Sequence, residues 1–475
     1  MIELTNVSYT YPRTVHPALH RISLSLEKGR CIMVTGPSGA GKTSLCLAAT
    51  GILHHEYGGR KEGTVTVDHR NVEEYPTLSD LAQNVGIVFD DPEAQMIFTT
   101  VEEEILSALE HRGLPVPIIE ERLEGIIRTT YLEKIRDRSP HHLSGGQKQR
   151  VALAATLALG NEILVLDEPT SELDEHATNR IAEILSDLKR QGKTILLVEH
   201  KYHHFREIVD TLVVLENGEI TASGAPGQVL EDPRVRGMLY PDFSSVQKAV
   251  RQPAGDGPAI EVRGLTHSYG EVTALSGIDL AIRRGEFVAI VGENGSGKTT
   301  LVKHFNRLLS PTSGDVVVNG KNTKACSIAE LARDVGLVFQ NPDHMFFADT
   351  VRDEIAYGVQ NLGIADAGTA IDAALRDAGL EGSADLYPRW LSRGERQRLA
   401  IACVVAMQPG IIVLDEPTTG LDGYETLEVI GLLKNLQQKG HMIVIITHNR
   451  EIASRCADRV ISMESGRIVS DTGGA

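Results

Sequence analysis

Two runs of the chain could cradle phosphate. They are Gly36-Pro37-Ser38-Gly39-Ala40-Gly41-Lys42-Thr43-Ser44 and Gly292-Glu293-Asn294-Gly295-Ser296-Gly297-Lys298-Thr299-Thr300. The glycines let backbone N–H groups converge on phosphate oxygens, and a following helix N-terminus adds a favourable dipole. Lys42 and Lys298 are placed to neutralise terminal phosphates, and Thr43 and Thr299 to set a hydroxyl on Mg²⁺. Each run follows a strand-like stretch and opens a helical one, the context that makes the pattern specific. Asp167 and Asp415 each end an apolar run and are followed by Glu168 and Glu416. The first carboxylate of each pair could hold Mg²⁺, usually through water, and the second could act as general base on an attacking water. Some capping of the next helix, with Thr170, Asp174, Thr418 and Asp422, can coexist with that use.

These groups recur because the chain is a repeat. Asp167-Glu168-Pro169-Thr170 returns as Asp415-Glu416-Pro417-Thr418, Leu143-Ser144 as Leu391-Ser392, and His200 as His448. Ser144 to Asp167 and Ser392 to Asp415 both span 23 residues; Asp167 to His200 and Asp415 to His448 both span 33. The expected organisation is one unit over 1–245, a linker over 246–258 whose Pro and Gly content reads as a connector, and a second unit over 259–475.

The elements that must position these side chains follow from the pattern. Short apolar runs such as Cys31-Ile32-Met33-Val34 and Ile163-Leu164-Val165-Leu166 alternate with helix-period segments. Continuous rather than alternating hydrophobicity marks strands buried on both faces, so each unit is expected to be α/β with a mainly parallel sheet flanked by helices. Glu216-Asn217-Gly218-Glu219 and Glu464-Ser465-Gly466-Arg467 predict a late hairpin in each unit.

The net charge of −17 argues against non-specific nucleic-acid binding and against an electrostatic hold on anionic lipid. No apolar run approaches the ~18 residues of a spanning helix, and the N-terminus predicts no signal peptide. Five scattered cysteines exclude a Cys-rich metal module and suit a reducing compartment. The His pairs 54–55, 141–142 and 203–204 read as surface histidines rather than a cargo site, because adjacent residues face different ways. Cys46 reads as a small core residue.

Taken together, these residues resemble the nucleotide-binding subunits of ABC transporters over nearly the whole chain. The most specific match is the family's signature, Leu143-Ser144-Gly145-Gly146-Gln147. Its Ser-x-x-Gln form suits a helix start, and a bare helix N-terminus with two glycines is a second anion site. The resemblance implies two P-loop NTPase domains in tandem, each with a RecA-like core, a small antiparallel β part and a helical subdomain. It also implies ATP and Mg²⁺ as ligands, and two units that close head-to-tail, each ATP lying between one unit's P-loop and the other's signature. Tyr11 and Tyr269 match the aromatic that stacks on adenine. Gln340 matches the glutamine that touches Mg²⁺ and water, and His200 and His448 match the switch histidine. Ser171-Glu172-Leu173-Asp174 and Thr419-Gly420-Leu421-Asp422 match the loop lining the dimer seam.

The halves depart from each other. Asp90 stands where the second unit has Gln340, and the second signature reads Leu391-Ser392-Arg393-Gly394-Glu395. Glu395 keeps the capping form, while Arg393 puts bulk and a cation where backbone should approach phosphate. With head-to-tail pairing both departures fall in site I, built from the first P-loop and the second signature. Site II, built from the second P-loop and the first signature, is expected to carry most hydrolysis.

The segments Asp91-Pro92-Glu93-Ala94-Gln95 and Asn341-Pro342-Asp343, with the Thr-Val-x-x-Glu runs at 100–104 and 350–354, look like those of the ATPases of energy-coupling factor transporters, importers of vitamins and transition-metal ions. That likeness implies a transmembrane coupling subunit and a substrate-binding membrane subunit as partners. It places the chain at the cytoplasmic face of the membrane, peripheral, with no direct lipid insertion and no nucleic acid. Duplicated sugar-importer ATPases usually carry an Asn-Gln pattern near the signature that is absent here. The alternative from another class is a soluble tandem ABC ATPase acting on ribosomes or DNA. Such proteins usually carry a long charged linker, an iron–sulfur domain or zinc-bearing inserts, none of which this sequence contains.

Overall fold

The structure is a computed structural model that describes residues 1–246 and 257–473. The chain divides into two units, Met1–Tyr240 and Pro241–Ala475. Residues 241–245, expected with the first unit, fall in the second. Phe243 buries its ring in that unit's core beside Ile452 and Cys456. Of the expected linker, residues 247–256 lie outside the described residues, and Pro258 already begins the strand Pro258–Tyr269.

The first unit has a six-stranded sheet. Its order runs Val85–Val88, Ile163–Asp167, Thr194–Val198, Cys31–Thr35, Thr211–Glu216 and Glu219–Gly224. The first five strands are parallel and the last pairs antiparallel, through the hairpin at Asn217-Gly218. A four-stranded antiparallel sheet, led by Ile2–Thr10 and Leu19–Leu26, packs beside it. The second unit repeats both sheets in the same strand order. The central strands are apolar along their whole length because helices cover both faces; Ile163, Leu164, Val165 and Leu166 are all buried, as are Ile411, Ile412, Val413 and Leu414.

A helical part completes each unit. In the first, helices Val101–Glu110, Val116–Thr129 and Gly145–Ala158 share a small core of Val101, Ile105, Leu109, Ile119, Leu123 and Ile127. The counterparts in the second are Val351–Leu362, Ala367–Asp377 and Arg393–Val405. Thr100 and Thr350 cap the first helix of each set, each accepting a backbone N–H three residues on. The expected α/β architecture is thus observed in both units.

Candidate active site

In each unit the phosphate-binding run joins the central strand (Cys31–Thr35, Phe287–Val291) to a helix (Lys42–Ala49, Lys298–Lys303). Gly41 and Gly297, the residues before these helices, both have φ of 100°, where a side chain is strained. A Cβ on them would also meet the carbonyl oxygens of Ala18 and Ala274 at 2.3 and 2.8 Å. Lys42 Nζ donates to the carbonyls of Gly36 and Pro37 at 2.9 and 3.1 Å, and Lys298 Nζ to those of Gly292 and Glu293 at 2.8 and 2.9 Å. The ammonium therefore lies folded across its own loop, held by groups that a phosphate could replace. Pro37, Ser38, Gly39, Ala40 and Ser44 lie on the same loop and helix start, as do Asn294, Gly295, Ser296 and Thr300 in the second unit.

The carboxylate pairs stand next to these loops. Asp167 ends its strand and is buried, and neither of its oxygens has a hydrogen-bond partner. Burial pushes its pKa up to about 7, the Thr43 hydroxyl opposes that shift, and the charges of Glu168 and Asp90 add to it. An orphaned buried carboxylate beside a threonine hydroxyl is a donor set that fits Mg²⁺. Asp415 is also buried, but its Oδ2 accepts the Thr299 hydroxyl at 2.7 Å. Its pKa is raised by burial and moderated by that bond. Asp90 and Gln340 are both exposed at the ends of their edge strands. Among the described residues no group of three or more His, Cys, Asp or Glu side chains is arranged to hold a metal ion.

Glu168 and Glu416 adopt left-handed backbone, with φ of 45° and 49°. For a residue with a side chain this costs on the order of 1 kcal/mol, a strain that clusters at functional sites. Matching bonds hold it in place. Glu168 N donates to Val198 O and Glu416 N to Ile446 O, each at 3.0 Å, while Ser171 N and Thr419 N return to the two glutamate carbonyls. The side chains are thereby aimed at the histidines. His200 Nε2 lies 3.4 Å from Glu168 Oε1, whereas His448 presents Nδ1 to Glu416 Oε2 at 3.0 Å. Glu168 Oε1 also lies 3.5 Å from Lys42 Nζ.

Tyr11 is half-buried, edge-on to Tyr9 and Tyr57, with its hydroxyl 3.1 Å from Ser44 Oγ. Tyr269 is 51% exposed and edge-on to His267. Cys46 is fully buried and its thiol is pushed far up by that burial, so it is chemically quiet.

Ser144 precedes the helix Gly145–Ala158, and its N–H donates to Gln147 Oε1 at 3.0 Å. Ser392 and Glu395 complete a reciprocal capping box at the helix Arg393–Val405. The signature helices are tied back to the loops after Asp90 and Gln340 by equivalent ion pairs, Lys148 with Glu93 and Arg396 with Asp343.

Three further features escaped the sequence reading. Buried Glu104 accepts the N–H groups of Ile97 and Phe98, and buried Glu354 those of Phe347 and Ala348. Each holds a loop whose tip shows a large apolar residue, Ile97 at 81% and Phe347 at 65% exposure. In the first unit that loop borders a cavity of about 310 Å³ lined by Gln95, Met96, Phe98, Ser107 and Ala155. Lys201 Nζ donates to the carbonyls of Thr170 and Leu173, and Glu199 accepts from Thr170, so the 170–174 loop is bolted to the strand end that carries His200. Finally, Glu425 reaches the second signature.

The family model for ABC transporters matches residues 19–171 and 275–419, more than half of the chain. The chain belongs to the ABC transporter family. It is an ATP-binding, ATP-hydrolysing ABC protein with two fused ATPase units. A Methanosarcina mazei protein with the provisional name ABC transporter ATP-binding protein is 50% identical over 99% of this chain and 95% of its own. A Caldanaerobacter subterraneus protein of the same provisional name is 37% identical over 95% of this chain and 87% of its own. The solved structure of CbiO1 from Clostridium perfringens, part of the ABC transporter complex cbiONQ, is 35% identical with a TM-score of 0.43, covering 46% of this chain and 88% of that one.

Proposed function

We propose that this ABC ATPase is the energy-coupling subunit of a membrane importer of the energy-coupling factor type, and that its units close head-to-tail on two ATP. No described helix is long and apolar enough to cross a membrane, so the proposal requires separate transmembrane subunits. The observation that carries the reading is the paired projection of Ile97 and Phe347, each backed by a buried glutamate. A large apolar side chain held in water by a built loop fits a protein partner. Two matching ones in a single chain suit a partner that receives both ATPase units.

In this proposal Lys42 and Lys298 bind the β- and γ-phosphates. Thr43 with Asp167, and Thr299 with Asp415, hold Mg²⁺, which when bound neutralises phosphate charge. Glu168 and Glu416 accept a proton from the attacking water, and His200 and His448 orient that glutamate and contact the γ-phosphate. Tyr11 and Tyr269 stack on adenine. Site II, with Gln340, Glu416 and the intact signature Ser144-Gly145-Gly146-Gln147, turns over faster than site I.

The test is purification of the tagged chain from detergent-solubilised membranes, with Ile97→Glu/Phe347→Glu as the matched variant. The expected result is recovery of multi-span membrane proteins with the parent chain and their loss with the variant. Recovery with ribosomes or DNA instead, indifferent to the variant, overturns the reading.

A further inference from the structure

The two signature helices end differently. In the first unit Gly146 faces Ala177; a Cβ on Gly146 would lie 2.7 Å from the alanine methyl. Ala177 offers no side-chain acceptor. In the second unit the corresponding neighbour of Gly394 is Glu425. Glu425 Oε1 accepts the Gly394 N–H at 3.2 Å and the Ser392 hydroxyl at 3.4 Å. Its other oxygen accepts the Asp422 N–H at 3.4 Å, and Glu425 N donates back to Asp422 Oδ1 at 2.9 Å. One carboxylate thus spans the N-termini of two helices, Arg393–Val405 and Gly423–Gln438. A serine hydroxyl and an adjacent helical N–H are donors that a phosphate oxygen would take at a helix N-terminus.

We propose that Glu425 is an internal anion that fills the second signature's phosphate position and thereby restrains site I. The proposal rests on the head-to-tail reading above, which gives that signature to the first P-loop's nucleotide. An incoming γ-phosphate must displace the carboxylate from Gly394 and Ser392 or meet its charge at close range. The Arg393 guanidinium packs on Gly420, 2.5 Å from where a Cβ on that glycine would sit. At the equivalent position the first unit has Ala177, which sets no carboxylate on the signature of site II.

The experiment is steady-state ATP hydrolysis by the full chain with site II disabled by Glu416→Gln. Adding Glu425→Ala is expected to raise the residual turnover about tenfold, the scale of a charge-assisted hydrogen bond and its repulsion removed. Glu425→Gln keeps a capping-competent side chain without the charge, and is expected to raise it less but in the same direction. Thermal unfolding of both variants separates loss of the cap from release of the plug. Unchanged or lowered turnover in the folded Glu425→Gln chain overturns the proposal, because a purely capping role predicts that silence. Adding Lys42→Ala tells the two readings apart. A gain that vanishes with Lys42→Ala runs on the first P-loop, as required. A gain that survives it overturns the head-to-tail pairing, while no gain in either Glu425 variant overturns Glu425 alone.

Discussion

The two buried aspartates occupy equivalent strand ends and yet meet different chemistry. Asp415 shares a hydrogen bond with Thr299. Asp167 has the Thr43 hydroxyl beside it and feels the charges of Glu168 and Asp90. The backbone around them is the same, down to the left-handed glutamate that follows and the bond that pins it. Fusion into one chain lets side chains diverge around a shared scaffold, because each position is encoded twice. The divergence falls on charge: an extra carboxylate near the first phosphate loop, and a carboxylate on the second signature.

The largest effect should come from the general bases. Glu416→Gln is expected to lower total ATP hydrolysis by about 10²–10⁴-fold, the usual cost of a lost general base. Glu168→Gln should leave much of the turnover intact. Equal losses from both would break the asymmetry outright; steady-state phosphate release from the two purified chains decides it.

Much of this was legible in the sequence because the signals are local. A glycine pattern between strand and helix, an apolar run ending in Asp-Glu, and equal spacings between repeats require no knowledge of distant contacts. The parallel sheet followed from continuous apolar runs, and both hairpins from their turn residues. What stayed hidden is made of long-range side-chain contacts. Glu425 lies 31 residues from Gly394, and in sequence it reads only as the capping glutamate after Asp422, a role it also performs. Glu104 reads as one of three glutamates opening a helix; only burial separates it from its neighbours. Phe243 changed sides for the same reason, since its ring finds its core in the second unit.

The next effect is a pH dependence at the first loop. A protonated Asp167 cannot hold a cation, so Mg²⁺-dependent nucleotide binding there should weaken about tenfold per pH unit below about 7. The sign for stability runs the other way. The folded pKa lies above the ordinary aspartate value of 3.8, so the contribution of Asp167 is full below that value and is lost as pH rises through about 7. Titrating a fluorescent ATP analogue against a Lys298→Ala chain isolates the first loop, and the Lys42→Ala chain should show its inflection at lower pH. Coincident inflections would remove the distinction between the two aspartates.

Asp90→Gln should sharpen that comparison while moving it little. It converts the first loop toward the second at one position. Burial is the main cause of the raised Asp167 pKa, and Glu168 remains beside it. The inflection should therefore fall by less than about one pH unit. A larger fall would make Asp90, and not burial, the main source of the difference.

The smallest expected effect concerns Arg393, the departure most visible in the sequence. Restoring the glycine with Arg393→Gly removes a guanidinium that packs on Gly420, but leaves the Glu425 carboxylate on Gly394 and Ser392. In the Glu416→Gln background its turnover should stay within about twofold of the parent, because the anion held at the helix N-terminus still opposes phosphate. Combined with Glu425→Ala, the same substitution should add to the gain, since backbone can then approach the phosphate without bulk. If Arg393→Gly alone released site I as fully as Glu425→Ala, the cation and its bulk would be the restraint, and Glu425 would return to being a helix cap.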